Sequence, residues 1–185
     1  MADDAKENLL EAYKLLCGNY HAIDDFRAKL LGVLPIASGA GFIFLSDKLP
    51  ALVTMKPIAV AGGVFGFLVT LGLFVFEIHG IRKCSDCFRL GRDMEAGLGI
   101  TGQFSLMPRT KAPIIPNEPF AAGIIYPAVL AAWAFFALHF TRENLCPFVL
   151  NVVPVGIFLL GFAGMLRYDY RLRHQEYGAD CQPTK

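Results

Sequence analysis

Residues 58–76 read IAVAGGVFGFLVTLGLFVF, nineteen residues with no charge and one hydroxyl, that of Thr70. A helix rises about 1.5 Å per residue, so this length crosses a hydrocarbon core of about 30 Å. The same pattern recurs along the chain. Charge is absent between Lys29 and Asp47, Lys56 and Glu77, Glu118 and Arg142, and Glu143 and Arg167. These four gaps predict spans at residues 30–46, 58–78, 120–140 and 147–166.

The bulk composition agrees. Hydrophobic residues make up 55% of the 185 and charged residues 18%, against about 45–50% apolar in a soluble domain. Four spans and one longer loop leave no room for a separate soluble enzyme domain, so residues 1–185 read as a single membrane domain. The net charge of +1 gives no field that would draw nucleic acid. The acidic N-terminus, with no short apolar run behind it, argues against a cleaved signal peptide. The spans themselves are the expected anchor.

Residues 1–29 predict an amphipathic helix. Leu9, Tyr13, Leu16, Tyr20, Ile23 and Leu30 follow heptad spacing, and Arg27 interrupts the seam. The acidic start suits the positive end of the helix dipole and disfavours lying on anionic lipid. We read a cytosolic stalk that runs on into span one. Beyond span two, Ile81, Cys84, Phe88 and Met94 keep helical spacing, which predicts a second cytosolic helix over 79–98, ended by Gly97 and Gly99. The two would form a cytosolic hairpin, with Asp24 and Asp25 placed to meet Arg82 and Lys83. The proline-rich stretch 99–119 cannot be one helix, yet Phe104, Leu106 and Met107 are too apolar for a free linker. It is expected along the membrane surface or against the stalks. Residues 167–185 read as a cytosolic tail, helical to about Tyr177 and stopped by Gly178.

Small residues mark the expected packing faces: Gly39 in span one, Gly62, Gly63 and Gly66 in span two, and Gly161 in span four. In lipid, where no hydrophobic force joins helices, such residues let backbones approach. Span two is expected to use them against span one, or alternatively for self-association. Lysine and arginine near the span ends number eleven on the side of the termini and three on the other. The positive-inside rule therefore places both termini in the cytoplasm, with the protein in the plasma or inner membrane.

Chemistry-bearing patterns are sparse. Cys84 and Cys87 form a C-x-x-C that could share a metal or a redox couple, with Cys17 and Cys181 on the same side; helical core packing is the simpler account. His21 with Asp24 and Asp25 spans one helical turn, as a solvated face does. Glu77 and His79 sit at the inner end of span two, as headgroup-level residues or as the lining of a permeation path. Asn151 in span four needs a partner within the bundle or lies wet near the outer interface. No cofactor site and no catalytic set is expected.

The expected fold is thus an all-α integral membrane protein: four transmembrane helices in two antiparallel hairpins, with cytosolic extensions of spans one, two and four. In layout the chain is similar to small bacterial membrane proteins whose transmembrane hairpins are flanked by cytosolic helices, some of them proposed pore-forming effectors. The function expected is non-enzymatic. A homo-oligomer that conducts or perturbs the bilayer under control of its cytosolic helices is the first reading. A membrane anchor that recruits a cytosolic protein is the second.

Overall fold

The computed structural model describes residues 2–47, 56–106, 118–141 and 147–180, and side chains within somewhat narrower limits. Among the described residues all regular structure is helical. Helix α1 spans Ala2–Asp47, α2 Lys56–Leu98, α3 Gln103–Leu106, α4 Glu118–Phe140 and α5 Pro147–Asp180. The 142–146 turn with Cys146, most of the proline-rich stretch, and Cys181 lie outside the described residues.

Among the described residues three helices are long and apolar enough to cross a bilayer: Lys56–Leu98, Pro119–Phe140 and Phe148–Leu172. The first is far longer than crossing requires. Its 43 residues extend about 65 Å at 1.5 Å per residue, and the 46 residues of α1 extend slightly more. About half of each is therefore surplus to a hydrocarbon core of about 30 Å. Both helices run unbroken from their apolar part into their polar part.

Prolines occupy helix interiors at Pro35 in α1, Pro127 in α4 and Pro154 in α5. Pro147 opens α5, where a missing N–H costs nothing. Helix α2 ends in a Schellman motif. Gly99 adopts φ +68°, its N–H donates to the Ala96 carbonyl at 3.2 Å, and the Ile100 N–H donates to the Glu95 carbonyl at 3.0 Å. Helix α5, by contrast, continues through Gly178 to Asp180, correcting the expected stop. A glycine lowers helix propensity by about 1 kcal/mol and does not end a helix unless the chain turns there.

Helix α4 is the packing centre, held between α2 and α5, while α1 runs along α2 and touches α4. The glycines explain the arrangement. A Cβ on Gly63 would stand 2.8 Å from Ala137 Cβ, and one on Gly66 would enter the Trp133 ring. The packing partner of these two glycines is therefore α4, not α1. The physical reason is Trp133, whose Cη2 also lies 3.7 Å from the Cβ position of Gly41 on α1. At this level the indole fills the place where α1 would meet the glycine face. Gly161 of α5 accommodates Pro127, with Cγ at 2.8 Å from its Cβ position. Gly39 and Gly62 face open space.

Enlarging these positions separates the two kinds of glycine. Gly66→Leu overpacks the Trp133 contact and is expected to lower unfolding free energy by about 1–3 kcal/mol. Gly62→Leu is expected to stay within about 0.5 kcal/mol of the parent. Denaturant titration in mixed micelles reads both.

Candidate functional site

The seam of α1 carries one residue that does not belong in an apolar stripe. Arg27 occupies a core-facing position and is 3% exposed. A guanidinium at such a depth requires a carboxylate, and α2 supplies it fifty residues on. Arg27 Nε donates to Glu77 Oε1 at 3.0 Å and Nη2 to the same oxygen at 2.8 Å. Arg27 Nη1 donates to Cys84 Sγ at 3.5 Å. Gly80, one turn from Glu77, leaves room for the arginine stem; a Cβ there would be 2.9 Å from Arg27 Cδ. Glu77 is fully buried, so it faces the neighbouring helices and not the outside of the chain. His79, two residues away, is exposed. The antiparallel course of α1 and α2 sets Arg27, just before the apolar part of α1, at the depth of Glu77, just after that of α2.

The same junction draws in α4. Tyr126 is fully buried and stacks on Phe74 with ring centres 5.4 Å apart. It joins Leu34, Ile81, Ala122 and Met165 in one core cluster. From α5, the Tyr168 hydroxyl donates to the Ile78 carbonyl at 3.5 Å.

A second polar centre lies at the far end of the α1–α2 hairpin. Glu95 is fully buried and its carboxylate ties three segments. It accepts from Tyr13 Oη of α1 at 2.7 Å, from the Phe104 N–H at 3.0 Å and from the Ser105 N–H at 2.8 Å, and also from the Ser105 hydroxyl. The two amides are orphan donors of the first turn of α3, whose cap position is Gly102. Gly102 has no side chain to cap with, and any side chain there would collide with Glu95 and Tyr13. Glu95 thus caps α3 from outside. Arg92 Nε donates to the Phe104 carbonyl at 3.2 Å. Phe104 itself is fully buried, with Tyr13, Tyr20 and Phe88 set edge-on around it at 5.5–6.0 Å. Its ring occupies the place a Cβ on Gly91 would need.

Burial opposes ionisation of Glu95, but the hydrogen bonds from Ser105, Tyr13 and the two amides outweigh it and bring its pKa from 4.5 to about 2. Burial, with the bond to Glu95, pushes the Tyr13 phenol up.

The thiols lie in the same cluster. Cys84 is buried beside Tyr20 and Phe104, with Cys17 and Cys87 packed against them. Burial pushes the Cys87 thiol up, with the Asp86 charge adding to it, the opposite of what a metal ligand or redox nucleophile needs. Among the described residues no group of three or more metal-ligating side chains comes together. Asp25 pairs with Lys29 at 2.5 Å along α1 rather than reaching Arg82 or Lys83. His21 is exposed, its ring against Tyr20. Asn151 lies on the outer face of α5. Sequence reasoning named Glu77 without its Arg27 partner and missed the Glu95 centre. For the first, the usable signal was Arg27 in an otherwise apolar seam. For the second there was none, because Glu95 reads as one more charge on a polar helix.

Breaking the first centre from one side strands a buried charge. Arg27→Met alone is expected to lower unfolding free energy by about 3–5 kcal/mol, and Arg27→Met with Glu77→Leu to recover most of that loss; the same micelle titration measures both. At the second centre the carboxyl pKa is depressed on folding. Its stabilisation is therefore complete above about pH 4.5, falls as the pH drops toward 2, and is absent below. Glu95→Gln, which removes the charge at any pH, is expected to expose residues 99–106 to protease at neutral pH. No protein-family model, curated protein or solved structure matches this chain, and the two polar centres stand as its candidate site on geometry alone.

Proposed function

We propose that the chain is a non-enzymatic integral membrane protein with four spans, the fourth formed by residues 30–46 of α1, and with both termini in the cytoplasm. It self-associates in the bilayer, and its cytosolic α1–α2 hairpin controls a membrane bundle that conducts ions or perturbs the lipid. The observation that carries this reading is the outward face of the apolar helices. Only 6% of the most apolar stretch of α5, and 22% of that of α2, is buried within the chain. Phe65, Leu68, Val75, Val155 and Leu160 are all more than half exposed. So much apolar surface calls for lipid or for other subunits. Gly62, Gly72, Gly156 and Gly164 lie on open faces and suit close approach of a second copy. The unbroken courses of α1 and α2 support control from the cytosol, since a continuous helix carries a tilt at one end to the other.

A second reading, a membrane anchor that recruits a cytosolic protein, is favoured by apolar side chains exposed on the polar half of the hairpin, Leu10, Leu15 and Leu90, and by Leu106 of α3.

Native mass spectrometry from nanodiscs separates the two. A single discrete oligomer, with conductance in liposomes that changes on substitution at Glu95, is expected for the first. A monomer or dimer without conductance overturns it. Photo-crosslinkers at positions 15 and 90 that capture one stoichiometric partner are expected for the second.

A further inference from the structure

The junction of α1, α2 and α4 holds two polar atoms that the chain leaves without a hydrogen-bond partner. Arg27 directs both Nε and Nη2 to one oxygen of Glu77, and the other oxygen, Oε2, is buried without a donor. Tyr126 Oη, on α4, is buried with neither donor nor acceptor. The two residues are each fully buried and belong to one locality. The Tyr126 ring stacks on Phe74, one turn before Glu77, within the cluster that holds Ile78 and Ile81. The next residue, Pro127, has no N–H, so the Gly123 carbonyl lacks its usual helical donor and adds an acceptor to this part of α4.

Buried polar atoms are almost always satisfied, by protein or by an ordered molecule. The charge balance selects which molecule. Arg27 and Glu77 already cancel, so a cation would leave a net positive charge in a low-dielectric interior, and an anion would face the free carboxylate oxygen. What fits is small, neutral, and able both to donate and to accept. We propose that a single water molecule binds between Glu77 Oε2 and Tyr126 Oη, donating to the carboxylate and exchanging a hydrogen bond with the phenol. This inference rests on the geometry of three helices and not on oligomerisation or conduction. The water completes a polar link from α1 through α2 to α4. Because that link is water-mediated, it can be remade after a small shift of either side chain, which suits a joint between the hairpin and the bundle.

X-ray hydroxyl-radical footprinting tests this on the intact protein in nanodiscs, since radicals formed from a bound water mark the side chain beside it whatever its exposure. Phe104 and Phe74 serve as internal controls, the first fully buried and the second Tyr126's stacking neighbour. Tyr126 is expected to be modified severalfold faster than both after correction for intrinsic reactivity. Modification no faster than Phe104 overturns the proposal. So does a parallel rise at Phe74, which would indicate opening of the bundle. Glu77→Gln keeps the shape and weakens the acceptor, and is expected to reduce Tyr126 modification severalfold. Undiminished Tyr126 modification, with Phe74 and Phe104 unchanged, overturns the assignment to Glu77.

Discussion

The structure depends on an arginine and a glutamate that meet where apolar helix gives way to polar helix. Arg27 and Glu77 are buried, 2.8 Å apart, and fifty residues distant in sequence. A buried pair of this kind is weak evidence for added stability, because desolvation offsets much of the attraction. Its stronger effect is on register. Sliding α1 against α2 by one turn, about 5.4 Å, would separate the charges and leave each alone in an apolar interior. The pair therefore admits one alignment of the two long helices, and every contact along the hairpin inherits it: Tyr20 and Cys84 with Phe104, and Tyr13 with Glu95.

Glu95 performs a different task with the same residue type. Its carboxylate accepts from neutral donors and binds the return segment by its backbone amides. The result fastens the end of α2 to α1 and brings the chain back along the hairpin. Two glycines make this possible. Gly91 and Gly102 sit where any side chain would displace Phe104 or the carboxylate itself. The hairpin is thus clamped at both ends of its polar half, by charge at Glu77 and by capping at Glu95, with aromatic packing between.

Three long apolar helices were legible because charge is so unevenly placed: uncharged gaps and helix lengths are local properties. So was the end of α2, since Gly99 acts within its own turn. The partners of the glycines were not legible. Gly63 and Gly66 announce that something approaches closely, but a spacing of small residues says nothing about what, and the answer depended on where Trp133 falls after the chain has turned again. The partner of Glu77 was hidden for a related reason. A carboxylate at the end of a span reads as a headgroup contact unless the arginine on the neighbouring helix is set beside it, and that requires pairing two helices by depth rather than by sequence. The Glu95 cradle was the least legible, because a cap normally comes from the residue before the helix, and here that residue is Gly102.

Trp133 is the single tryptophan of the chain, and its ring lies against the Gly66 backbone of α2 and near Gly41 of α1, on a helix packed against α5. Its emission therefore arises from one place where α1, α2 and α4 converge. A change in spacing between these helices alters the polarity and quenching around a single indole, with no second indole to dilute the signal. The chain carries a built-in spectroscopic gauge of its own helix packing.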